Sequence, residues 1–151
     1  MPSGKKNKTG YSTSESVNNF KTSAVYTETL TSDFDATYYY GHIQDEAGNK
    51  ATCRTTTQIK RDATAPGCSF KVNSAEPSTG WYTTNAVAVL QKSDNKSGVA
   101  SFATKKGTAS YSNNVDTQTV DTDTPGITIT GKVTDNAGNE KTCSITIKRD
   151  T

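Results

Sequence analysis

The chain has 151 residues, 17 Lys plus Arg against 15 Asp plus Glu for a net charge of +2, and only 30% of its residues are hydrophobic. Charge spread this evenly lacks the concentrated positive field that nucleic acid requires. No stretch nears the ~20 apolar residues of a membrane helix, so no membrane insertion is expected, and the basic start at residues 1–8 has no apolar run of the kind a signal peptide needs.

A single histidine, His42, and a single methionine, Met1, leave little material for imidazole acid–base chemistry, haem ligation or a His-rich zinc site. The 27 Thr and 15 Ser beside only two Leu describe a chain poor in helix formers and rich in strand formers. The fold class read from this is all-β.

In chain order, Thr-rich segments at 11–20, 23–31, 38–45 and 50–60 allow about four strands in the first 62 residues. Ala63-Thr-Ala-Pro66 is a short junction stiffened by its proline. Beyond it, Cys68 to Val72 reads as an opening strand, Ala86 to Leu90 follows Trp81-Tyr82, and Ala100 to Thr104 follows the turn Asp94 to Gly98. Short strands with a turn signal about every ten residues point to a sandwich or barrel.

The last hairpin is the most explicit segment. Ile127, Ile129, Gly131 and Val133 alternate with Thr128, Thr130, Lys132 and Thr134, and Cys143, Ile145 and Ile147 alternate with Thr142, Ser144 and Thr146. A period of two buries one face of each strand and wets the other. Between them, Asp135-Asn-Ala-Gly138-Asn139 supplies residues that accept positive φ or bond their own backbone.

This hairpin occurs twice. Gly41 to Cys53 aligns without a gap with Gly131 to Cys143 at an offset of 90, sharing Gly, Asp, Ala-Gly-Asn and Thr-Cys, and both copies end on Ile-Lys-Arg-Asp. The first turn is therefore Asp45, Gly48 and Asn49. Its inward set is expected to be Tyr39, Gly41 and Ile43 with Cys53, Thr55 and Thr57, which leaves His42 facing solvent beside Tyr38 and Tyr40. Residues 63–151 make one complete unit, and residues 1–62 one lacking its opening strands.

The three cysteines divide by the same repeat, Cys53 being equivalent to Cys143. If the first and last strands of an immunoglobulin-type sandwich run side by side, Cys68 pairs with Cys143 and Cys53 stays an unpaired thiol. The alternative is three buried thiols. No Cys-x-x-Cys pair offers a zinc site. By the offset of 90, a partner for Cys53 falls before Met1, which reads as a piece of a longer repeat array.

Thr64-Ala-Pro66, Gly80-Trp81-Tyr82, Asp94 to Val99 and Val133 to Asn139 together resemble the bacterial immunoglobulin-like repeats of large surface and secreted proteins. That resemblance implies tandem immunoglobulin-like β-sandwiches, the first incomplete, in a non-catalytic extracellular or cell-surface module serving as stalk, spacer or adhesion repeat. Implied partners are neighbouring repeats of a longer chain and a protein or glycan ligand; the adhesion reading expects such a ligand on loops at a sandwich end or across a junction, around Tyr82, Asn95 and the Asp135 to Asn139 turn. Trp81 is read as a core residue.

Two alternatives keep a place: a fibre, pilus or phage subunit using an open sheet edge, and a carbohydrate-binding accessory module. Asp62 and Asp94 are weak candidates for calcium, which takes six to eight oxygens; no other cofactor is expected. An enzyme is not expected, since His42 sits in no nucleophile motif.

Overall fold

The computed structural model describes residues 8–12, 29–72 and 77–151, and among them every regular element is a strand. The chain divides into two units, Met1–Asp62 and Ala63–Thr151.

The second unit holds β6 (Gly67–Val72), β7 (Trp81–Tyr82), β8 (Ala86–Ser93), β9 (Val99–Lys106), β10 (Ser112–Asn113), β11 (Thr117–Val120), β12 (Thr124–Asp135) and β13 (Glu140–Arg149). They form a five-stranded sheet in the order β10-β9-β12-β13-β7 and a three-stranded sheet in the order β11-β8-β6. All pairings are antiparallel except the two-residue β7, which runs parallel to β13 at Lys148 and Arg149. The first strand lies in one sheet and the last two pair in the other, which is the topology of an immunoglobulin-like sandwich.

Alternation produces the core. Ala86, Ala88 and Leu90 of β8 point inward, and Ile129, Gly131 and Val133 of β12 meet them from the opposite sheet, all buried. Tyr82, Val120 and Ile147 complete it, with Phe70, Val72, Ile127 and Ile145 packed around them. Small side chains on β8 against branched ones on β12 and β13 let the sheets interdigitate with few large residues.

Gly131 is where they come nearest. A Cβ there would stand 2.6 Å from Leu90 Cδ1 and 3.1 Å from the Phe70 ring. No residue but glycine fits between those side chains without displacing one.

The first unit holds β1 (Lys8–Ser12), β2 (Phe34–Thr37), β3 (Tyr40–Gln44), β4 (Lys50–Arg54) and β5 (Ile59–Arg61). They form a three-stranded sheet β1-β3-β4 and a two-stranded sheet β2-β5. Gly41 pairs with Cys53 across β3 and β4 as Gly131 pairs with Cys143 across β12 and β13. β1 flanks β3 as β9 flanks β12. Of the first strands expected from the sequence, most of 11–20 and 23–31 lie outside the described residues.

Three expectations are corrected. His42 is 6% exposed, not solvent-facing: it packs beside Tyr40 at 6.5 Å between ring centroids, and its Nδ1 hydrogen-bonds the Thr52 hydroxyl at 3.0 Å. On the opposite side of the sheet, Ile43 is 41% exposed and Cys53 is exposed. Along β3 the fully buried side chain is thus His42 rather than Ile43. In the second unit Trp81 is exposed, its ring beneath the Lys148 ammonium at 5.8 Å, and the adjacent Tyr82 takes the core position.

Candidate functional site

The feature with functional content is the clamp between the first and last strands of the second unit. Cys68 and Cys143 are joined by a disulfide, their Cα atoms 5.6 Å apart. Further along both strands, Phe70 and Val72 of β6 and Ile145 and Ile147 of β13 line one cavity with Gly80 and Tyr82. The two strands therefore run in the same direction on facing sheets. The chain enters the unit at one end of the sandwich and leaves it at the other.

The exit is fixed by polar contacts that the sequence did not announce. Asp123 accepts hydrogen bonds from Arg149 Nη1 and, at 3.1 Å, from the Thr151 hydroxyl, and the Asp150 amide donates to the Tyr82 carbonyl at 3.0 Å. Asp123 stands just before β12, so its role depends on where β13 ends, a relation no local pattern encodes.

At the far end of the β12–β13 hairpin, Asp135 is 2% exposed. Its Oδ1 accepts from the backbone amides of Ala137 at 2.9 Å and Asn139 at 2.8 Å, and its Oδ2 from the Asn139 side-chain amide at 2.8 Å. Gly138 takes φ 93°, the left-handed conformation open to glycine. The first copy repeats this: Asp45 accepts from the Asn49 backbone and side-chain amides at 2.8 Å each, and Gly48 has φ 92°. Asn49 is the main cause that the Asp45 carboxyl ionises below its ordinary value of 3.8.

The neighbouring turn is tied to the second hairpin. Asp94 Oδ1 accepts from the amides of Lys96 at 3.1 Å and Gly98 at 2.6 Å. The Asn136 side chain donates to the carbonyls of Ser97 at 2.7 Å and Gly98 at 3.0 Å.

Of the calcium candidates Asp62 and Asp94, Asp94 brings a carboxylate oxygen within 4.8 Å of one on Asp135, and Asp62 is the half-buried last residue of the first unit. Both carboxylates of the second unit are engaged by donors of their own loops, which accounts for their placement without an ion. Tyr82 is buried and Asp135 is bonded into its turn, so two of the residues expected to hold an adhesion ligand are occupied structurally. Asn95 remains exposed.

Among the described residues no helix is long and apolar enough to cross a membrane. No protein-family model matches the chain, and no curated protein matches it. Solved structures that are similar to it include two domains of Vibrio proteins. The PKD1 domain of Vibrio anguillarum Epp has a TM-score of 0.46 and 19% identity, over 60% of this chain and 99% of that one. The PKD1 domain of the Vibrio cholerae metalloprotease PrtV has a TM-score of 0.46 and 24% identity, over 58% of this chain and all of that one.

Proposed function

We propose that the chain is a non-catalytic spacer module of a bacterial extracellular protein, whose second unit passes tension along its length through a covalent bridge. The observation that carries this reading is the direction of β6 and β13. Because they run the same way and are joined by Cys68–Cys143, force applied at the two ends of the unit passes from the start of β6 across the disulfide into β13. The rest of the sandwich lies in a closed loop outside that path.

Two consequences support a spacer. Bridged residues 75 apart cannot separate, so the unit holds its length even if its sheets open. A structural disulfide is also kept in oxidising surroundings, which favours an extracellular setting. The adhesion, fibre-subunit and carbohydrate-binding alternatives have no comparable observation behind them.

Stretching single molecules held at the two ends of the second unit tests this. With the bridge intact, no event lengthens the chain by the bridged segment. After reduction, rupture of the unit releases about 250 Å more, the contour of 75 residues at roughly 3.4 Å each. The same lengthening before and after reduction overturns the reading.

A further inference from the structure

We propose that the face of the first unit's sheet that exposes Ile43 and Cys53 is a docking surface for an extended strand bearing a cysteine, which seats there as β6 seats in the second unit and joins Cys53 in a disulfide. This rests on a comparison between the two copies and is independent of the tension reading.

The surface consists of Gly41 and Ile43 on β3 with Ala51 and Cys53 on β4, one side of the ladder by its register. At the same positions in the second unit, Gly131 is pressed under Leu90 and Phe70, Val133 is 0% exposed, and Cys143 is bonded to Cys68. In the first unit a Cβ on Gly41 meets, among the described residues, only the Cys53 sulfur, at 3.1 Å, Ile43 is 41% exposed, and Cys53 is free and exposed.

So the two faces share backbone register, glycine and cysteine, and differ in their cover. An exposed β-branched residue beside a free thiol on a glycine-lined sheet is the complement of what β6 presents.

The second copy therefore specifies the occupant: a strand of a further repeat of this kind, with cysteine where Cys68 stands and apolar residues two and four positions later, as at Phe70 and Val72. A second molecule of this chain does not supply it through β6, because that strand is paired along its length with β8 and covalently held to Cys143.

The bond forms by thiol–disulfide exchange. The Cys53 thiolate attacks the cysteine sulfur of an incoming strand carried as a mixed disulfide with a small thiol. The new sulfur–sulfur bond forms as the old one breaks, and the small thiol leaves with the proton Cys53 gave up, without net oxidation.

The test uses the full chain, its bridge intact, and a synthetic peptide of the sequence ATAPGCSFKV, residues 63–72, whose cysteine is a mixed disulfide with glutathione. A scrambled peptide of the same composition is the comparison, and mass spectrometry follows conjugation. The proposal predicts coupling at Cys53 at least ten-fold faster than with the scrambled peptide, at a rate that saturates with peptide concentration. Ile43→Ser, which removes the apolar contact without adding a charge beside the thiol, abolishes the saturation, so that the two peptides couple at the same rate. Equal rates for the two peptides, a strictly linear concentration dependence, or coupling at Cys143 instead of Cys53 would each overturn it.

Discussion

The Asp135 carboxylate holds Asn139 twice, accepting from its backbone amide and its side-chain amide at 2.8 Å each, and Asp45 holds Asn49 in the same way. The motif repeated along the sequence is thus a repeated hydrogen-bonding device that closes a hairpin. Its setting differs between the copies: Asp135 is buried and Asp45 exposed. A buried carboxylate that loses a donor has no water to replace it, whereas an exposed one does. Asn139→Ala is therefore expected to cost about 1–3 kcal/mol in chemical denaturation. Asn49→Ala should cost less, and an equal or larger loss at Asn49 would contradict this account of the turns.

The same comparison applies to the glycines. Gly131→Ala drives a methyl to within 2.6 Å of Leu90 and 3.1 Å of Phe70, and overpacking of this kind costs about 1–3 kcal/mol. Among the described residues, Gly41→Ala meets only the Cys53 sulfur. Paired denaturation curves should show the larger midpoint shift for Gly131.

Asp45 has a pH signature. Its folded ionisation lies below the ordinary 3.8, chiefly through the hydrogen bond from the Asn49 side chain. A lowered acid value means that the contribution is full above about pH 4 and is lost as the pH falls toward the folded value. Carboxyl NMR of Asp45 should give a midpoint under 3.8, and Asn49→Ala should move it upward. A midpoint that the substitution does not move would show that Asn49 is not its cause.

For the aromatic pair, Tyr82 lies in the core and Trp81 is exposed under Lys148. Replacing a buried aromatic by alanine costs about 3–5 kcal/mol, so Tyr82→Ala should be far more damaging than Trp81→Ala. Thermal unfolding of the two variants decides which ring fills the sandwich.

How much of this was legible in the sequence depends on the range of the signal. The hairpins were, because alternation at Ile127 to Val133 and the Asp-x-Ala-Gly-Asn turn act within a dozen residues. The face of a strand that is covered is not local. His42 and Ile43 alternate correctly, yet which is buried depends on what packs against β3, and the pattern is silent on that. Trp81 and Tyr82 posed the same problem, adjacent aromatics of opposite parity on a two-residue strand. β11, with Val120 as its one buried apolar residue, offered too little contrast among Thr and Gln to be read as a strand. The Asp123 contacts join residues 26 and 28 positions apart, and only the finished sheet brings them together.

Everything in the second unit turns on the bridge between its first and last strands, which closes a loop of 75 residues and contributes about 4 kcal/mol in the chain-entropy account. The most direct measurement is a peptide map under non-reducing conditions after labelling free thiols. The account predicts one bridge, Cys68 to Cys143, and a labelled Cys53. Three labelled cysteines, or a bridge that includes Cys53 within the same molecule, would contradict it.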